Sequence, residues 1–516
     1  MTKDRFSLPK ASLLTLLMTG VSATSLGISI ATAQEADTVS RQKTITVTAT
    51  RRDESLVDVP YNISAVTGAD IEAASILDDA ELLRSIPGVA VVDRGARNSG
   101  TMNSARIRGL AVDSNGLGDY AVSAVASVST YVNDTPIFAN FLLRDLERVE
   151  VLRGPQGTLY GSGSLGGTIR YITRDPDLGE YNGYVSASGS SVEGSESLGF
   201  GVDGAFNMPL GDKAALRIVG SAGDYPGITD YVNVYELDSS GIPVAPNGIL
   251  DPAASYKSVE DADTVDVWMG RATLLLEPTD TMSIKIVHTR QSDEVGGRRQ
   301  STVGQDGFGN TYDDYENGSI QLEPSSRDIN ATSLEAEFDL GFATLTSSTS
   351  HYDHTGESVS ENTGFYAQAG FLSFYYNYPR PMASAVRTFA DEAVVQEIRL
   401  VSDGGETFDY VLGGFYRKQQ LEGTQESFLP GFKNWWDAFL PFAASAVTGD
   451  QDFAYRRTEN FEEMALFGEL TWHASPDLDL TVGARYFDNE SENVTFIDLP
   501  LYAGVFEPTT ASFAAS

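Results

Sequence analysis

From Tyr181 onward, apolar and polar side chains alternate in runs about as long as a membrane-crossing strand, roughly 9–11 residues. In "LDLTVGARYF", Leu478, Leu480, Val482, Ala484 and Tyr486 share one face, and Asp479, Thr481, Gly483 and Arg485 the other. In "EEMALFGELTWH", Met464, Leu466, Gly468, Leu470 and Trp472 oppose Ala465, Phe467, Glu469, Thr471 and His473. A period of two is the side-chain alternation of a β-strand with two unlike faces. Five hairpins follow from this pattern. "GFGVDGAFN" turns through "MPLGDK" into "AALRIVGSA", and "VDVWMGRATLLLEP" turns at Thr279-Asp280 into "TMSIKIVHTR". "TSLEAEFDL" meets "ATLTSSTSHY" across Gly341, "AVVQEIRLVS" meets "FDYVLGGFYRK" across "DGGET", and the two strands quoted first meet across "ASPD". Long loops separate the hairpins at 223–263, 291–328, 354–387 and 421–457. The strand length, the aromatic strand ends and the rhythm of short turn and long loop predict a transmembrane antiparallel β-barrel rather than a soluble sandwich. In lipid every backbone group must be paired internally, so such strands must close on themselves.

Residues 56–176 read differently, as a compact α+β domain. Thr67-Gly-Ala-Asp70 predicts a capping box opening a helix through Ala73. "DDAELLRSIPGV" predicts a second helix, capped by Asp78 and ended by Pro87-Gly88. "SARIRGL", "STYVNDTPI", "LERVEVLRG" and "TIRYITR" predict strands. "YGSGSLGG" contains Gly161-x-Gly163-x-x-Gly166, the spacing of a dinucleotide-binding turn. That reading needs a helix whose N-terminus faces the pyrophosphate. Here a β-branched strand follows instead, so the glycines are expected to serve tight turns and close backbone approach.

Composition narrows the class. With 72 acidic against 35 basic side chains and a formal charge of −37, the chain repels nucleic-acid phosphates. It has no cysteine, 49 glycines and 23 tyrosines. Lys3, Arg5 and Lys10 precede the apolar "ASLLTLLMTGVSATSLGISI" and the small-residue run Ala31–Ala33, so residues 1–33 read as an export signal. Residues 34–55 form a polar tail with one β-prone island, "TITVTA": Thr44, Ile45, Thr46, Val47, Thr48 and Ala49. It reads as an edge strand or as an extended peptide ready to join another protein's sheet.

Together, "TITVTA" behind a signal peptide, "VPYNISAVTGADIEAA", "ELLRSIPGV", "RIRGL", "STYVNDTPI" and "RDLERVEVLRGPQGTLYGSGSLGGTIRYITRDP" closely resemble the TonB-dependent outer-membrane receptors. "VNDTPI" departs slightly from that family's Asp-Gly pattern. The resemblance implies a mainly β fold, with the plug (56–176) inside a barrel beginning at 177, and "TITVTA" as the TonB box. It implies the outer membrane of a Gram-negative bacterium, with its lipid and lipopolysaccharide, as the place. It also implies TonB as partner, energised by ExbB and ExbD, and uptake of a scarce or bulky small-molecule ligand. A ferric siderophore is the first expectation. A carbohydrate or an aromatic nutrient is the second, and a non-transporting surface sensor or an inactive fragment the third. It implies no cofactor and no enzymatic chemistry. It implies a plug–barrel lock of arginine and glutamate, matched here by Arg108, Arg153, Glu397 and Glu469. The family's barrel has 22 strands, whereas about eleven candidates occur here, with a twelfth near "LYAGVF", so residues 177–516 are expected to form part of a barrel.

Two loops are strongly aromatic, 364–381 and 431–442. Tyr375, Tyr376, Tyr378, Trp435 and Trp436 are the candidates for ligand contact there; the alternative is that they pack on one another. The segment 223–263 has eight Asp/Glu and one Lys and reads as a solvated face. His351 and His354 make H-x-x-H, but strand residues three apart point to opposite faces, so no metal site is expected.

Overall fold

The computed structural model describes residues 45–516 apart from 53, 58, 60, 75, 77–78, 92–104, 112–126, 138, 140, 162, 306–309, 369, 406, 503–506 and 516. The export signal and Thr44 lie outside the described residues, as does Asp78. Twelve strands form one antiparallel sheet, each paired with its neighbour in sequence. They are Asn182–Ser191, Leu198–Pro209, Ala214–Tyr225, Val265–Thr279, Met282–Val295, Ser325–Asp339, Ala343–Glu361, Ser384–Ser402, Phe408–Phe428, Gln451–Ser475, Leu478–Asp498 and Thr509–Ala515. All five hairpins form, with registers such as Phe338↔Leu345, Leu400↔Leu412 and Thr471↔Thr481. The first and last strands pair on one side only, so this wall is not closed.

The strands outrun their sequence pattern. Phe408–Phe428 has 21 residues and Gln451–Ser475 has 25. The backbone ladder continues beyond the predicted segments on polar pairs such as Thr388 with Thr424, 2.5 Å apart. The loops therefore shrink to 226–264, 296–324, 362–383 and 429–450. The last strand is Thr509–Ala515 rather than "LYAGVF". Pro500–Tyr502 is a short 3-10 turn, and Leu501 is claimed by the aromatic loop core described below. The face predicted to meet lipid is exposed, with Leu466 at 69% and Tyr486 at 77%, while inward Phe467 is buried.

The plug is a five-stranded sheet in the order Ile63–Thr67, Leu146–Arg153, Gly167–Thr173, Val128–Val132, Thr135–Pro136. Ile71, Leu82, Leu83, Ile107, Val149, Val151 and Ile169 make its core. The helix Gly68–Ala73 opens on the capping box, with Thr67 accepting from the Asp70 backbone and Asp70 from the Thr67 backbone. Asp79–Arg84 is the second helix. The glycine-rich segment holds one helical turn, Gly157–Tyr160, and then Gly161 and Gly163 at φ of +71° and +90°. A strand follows directly. At Gly167 a Cβ would stand 2.2 Å from the Leu152 carbonyl oxygen, so close strand packing requires glycine there.

Candidate functional site

The tail folds back into the lumen of the wall. Thr46–Val47 pairs with Glu54–Ser55, with Thr46 opposite Ser55 and Val47 opposite Glu54. The Leu56 amide closes the hairpin on the Ile45 carbonyl at 2.8 Å. Val47 and Ala49 are fully buried. Ala49 enters one apolar cluster with Tyr131, Leu152, Leu159 and Tyr160 of the plug and Val401, Val411 and Phe467 of the wall. Thr48 between them donates its amide to Glu150 Oε1 (2.9 Å), and its hydroxyl accepts from Arg170 Nη1 (2.7 Å) and Arg148 Nη2 (3.2 Å). The Tyr160 hydroxyl donates to the Ala49 carbonyl at 2.8 Å.

Two residues past Ala49 the tail meets a buried ionic network. Arg51 Nη1 lies 2.6 Å from Asp134 Oδ1 of the plug, and its Nη2 lies 3.1 Å from Glu397 Oε2 of the wall. Its guanidinium sits 4.7 Å above the Tyr160 ring. Arg399 of the wall reaches the same two carboxylates, at 2.5 and 3.2 Å. Arg170 bridges Asp134 (3.4 Å) and Glu150 (2.8 Å), and Arg148 pairs with Glu150 (2.8 Å). The network borders a polar cavity of about 690 Å³ beside the Thr344 and Asp403 end of the wall. Elsewhere on the plug, Asp145 is held by Arg217 (2.5 Å) and Arg271 (3.5 Å) of the wall.

The structure places the predicted lock residues apart. Arg153 donates to the Ser64 hydroxyl (3.1 Å) and the Pro87 carbonyl (2.5 Å). Arg108, at φ +53°, is exposed with its guanidinium over Gly154. Glu469 accepts from the Tyr61 hydroxyl at 3.2 Å, and Glu397 meets Arg51 and Arg399. Among the described residues no ion pair joins Arg108 or Arg153 to Glu397 or Glu469. The fastening runs mainly through carboxylates Asp134 and Asp145 on the plug and arginines 399, 217 and 271 on the wall, while Arg144 of the plug meets Asp203 of the wall at 3.6 Å. The signals for it were the paired Arg51-Arg52 behind the β-prone island and the unusual Asp134 in "VNDTPI".

The aromatic loops pack on one another. Tyr375, Tyr378, Trp435 and Trp436 are buried in one core with Tyr366, Phe432 and Leu501. Tyr378 meets Phe432 and Trp435 at ring distances of 5.6 and 5.4 Å, and the Tyr366 and Tyr375 hydroxyls both reach Asp452. Tyr376 alone of the five candidates is exposed; Phe365, Phe374, Phe439 and Phe442 join it at the surface. His351 faces outward, 3.1 Å from Glu392, whereas His354 is buried edge-on to Phe389. Among the described residues no group of three or more His, Cys, Asp or Glu is arranged to hold a metal ion.

Residues 55–168 match the TonB-dependent Receptor Plug Domain. Over that stretch the chain carries the plug domain of the TonB-dependent receptors. It is 32% identical over 198 residues to the iron-regulated outer membrane virulence protein of Vibrio cholerae, covering 36% of this chain and 28% of that protein. It is 30% identical over 234 residues to the hemin receptor of Yersinia enterocolitica, covering 42% of this chain and 32% of that one. The chain thus matches less than a third of the length of these curated relatives. In structure it resembles the ferric yersiniabactin uptake receptor FyuA of Yersinia pestis, with a TM-score of 0.64 at 16% identity, over 88% of this chain and 61% of that one. The family consists of receptors and transporters rather than enzymes, and its place is the outer membrane.

The network sets the charge states around the tail. Burial works against the charge of Asp134, yet the guanidiniums of Arg399, Arg51 and Arg170 hold it well below the usual carboxylate range. Glu150 is lowered in the same way: burial opposes its charge, but Arg170, the Thr48 amide and Arg148 prevail. Burial also opposes the charge of Arg51, and Glu397 and Asp134 outweigh it to raise its pKa. Arg51, Asp134 and Glu150 are therefore charged at neutral pH.

Proposed function

We propose that this receptor takes up a scarce or bulky ligand across the outer membrane with energy delivered by TonB, driven in turn by ExbB and ExbD. The observation that carries the reading is the tail Thr44–Ala49: it has high strand propensity, leads into a plug domain, and its described part already forms a two-residue ladder with Glu54–Ser55. A segment that pairs this weakly with its own chain can exchange that pairing for an added strand of TonB, where main-chain hydrogen bonds supply affinity. Ligand would bind from outside over plug and loops, within an outer leaflet of lipopolysaccharide. A ferric siderophore or similar iron complex is the cargo favoured by the relatives, whose names include iron-regulated and hemin receptors. The exposed Phe365, Phe374, Tyr376, Phe439 and Phe442 favour an aromatic or hydrophobic nutrient as the second reading.

Val47→Pro tests the reading. Proline removes one ladder donor and fixes φ, so TonB capture and ligand uptake are expected to fall together while the chain still reaches the outer membrane. Uptake at the parent rate would refute TonB pairing at this segment.

A further inference from the structure

The ion pairs that hold the folded tail are unevenly shared. Four guanidiniums, those of Arg51, Arg148, Arg170 and Arg399, share three buried carboxylates, Asp134, Glu150 and Glu397. Glu147, which also pairs with Arg148, stands half in solvent and acts as a surface charge. Asp134 takes one arginine each from tail, plug and wall. Both carboxylates that hold Arg51 already have a second arginine in place, because Arg399 Nη1 lies 2.5 Å from Asp134 Oδ2 and 3.2 Å from Glu397 Oε1. Taking Arg51 away leaves three guanidiniums against three carboxylates, every one still paired. Taking Arg399 away leaves Glu397 with Arg51 as its ion-pair partner among the described residues.

Breaking a buried ion pair is costly mainly for the charge it strands. Withdrawal of Arg51 strands none at Asp134 or Glu397. We propose that Arg51 is a releasable latch on the tail, and that Arg399 makes it releasable by keeping Asp134 and Glu397 neutralised once the tail has gone. The inference rests on reading Thr44–Ala49 as the TonB-binding segment. It assigns two arginines on the same carboxylates opposite effects on the tail. The plug stays seated during release, since Asp145 keeps Arg217 and Arg271, and Asp134 keeps Arg399.

The chain has no cysteine, so Val47→Cys places a single thiol at a fully buried position of the tail. In the ligand-free protein, Arg51→Gln is expected to speed alkylation of that thiol on the order of tenfold. Arg399→Gln is expected to slow it, because Arg51 then becomes indispensable to Glu397. General loosening of the lumen would speed both. Acceleration in both variants, or none in Arg51→Gln, overturns the proposal. Ala49→Cys, also fully buried, is the second probe should a thiol at position 47 disturb the hairpin. TonB capture separates this inference from the reading beneath it. An Arg51→Gln protein that is alkylated quickly yet captures no TonB keeps the latch and removes the TonB-binding segment.

Discussion

Asp134 occupies a turn between two short plug strands, next to Asn133 at φ +53°. That turn brings its carboxylate to three guanidiniums at once. Its pKa is lowered, so its stabilisation is complete above the ordinary carboxylate range, near pH 4, and is lost as pH falls through the lower folded value. Asp134→Asn removes the charge and leaves four buried arginines sharing two carboxylates, Glu150 and Glu397. We expect a loss of about 3 kcal/mol at neutral pH, in keeping with a broken buried pair. The gap between parent and variant should stay level down to about pH 4 and close only in stronger acid. Denaturant unfolding at a series of pH values measures it; a gap that closes between pH 7 and 5 would assign the effect to another group. The chain marked Glu397 as a lock residue but not its partners, since Arg51 and Glu397 stand 346 residues apart. Charge type is visible in a sequence, but partnership between distant charges is fixed by where the sheet curves.

Single elements were more legible. The capping box at Thr67 and Asp70, and the strand pairs across Gly341 and "ASPD", rest on local rules, and local rules act within a few residues. The aromatic loops show the limit of such rules. Composition marked Tyr375, Tyr378, Trp435 and Trp436 as notable but could not say which rings face each other and which face water. The helix Phe432–Phe439 turns Trp435 and Trp436 inward against the segment Phe371–Tyr375 and leaves Phe439 outside. Trp435→Ala is expected to open a cavity costing about 3–5 kcal/mol and to unfasten the two loops from each other. Limited proteolysis would report it as faster cleavage within 364–381, with plug fragments unchanged; equal cleavage rates would mean that the remaining rings hold the loops alone.

At the scale of the whole molecule, one alternation serves two solvents. Leu466, Leu470 and Met464 face outward, while Phe467 and Glu463 on the same strand face the plug. Leu466→Arg is expected to cost about 2–4 kcal/mol of stability in a bilayer, and Thr471→Arg on the inner face clearly less. Unfolding from lipid vesicles compares the two; equal costs would remove the assignment of faces. The wall also supplies most of the cations that fasten the plug. Its inward arginines at 217, 271 and 399 wait for carboxylates, so the arginines of "IRGL" and "VLRGP" are left to serve the plug itself.

The sequence by itself determined what depends on neighbours along the chain: strand periodicity, hairpin turns, helix caps, the glycine-bearing turn and the strand-prone tail segment. Those follow from backbone geometry and side-chain alternation, which act over a few residues. Tertiary structure alone decided that the tail is tucked inside, that Arg51 closes on Asp134 and Glu397, and that most loop aromatics are spent on one another. Ion pairs and ring contacts form between whatever surfaces the fold brings together, and a lumen assembles its lining from strands hundreds of residues apart.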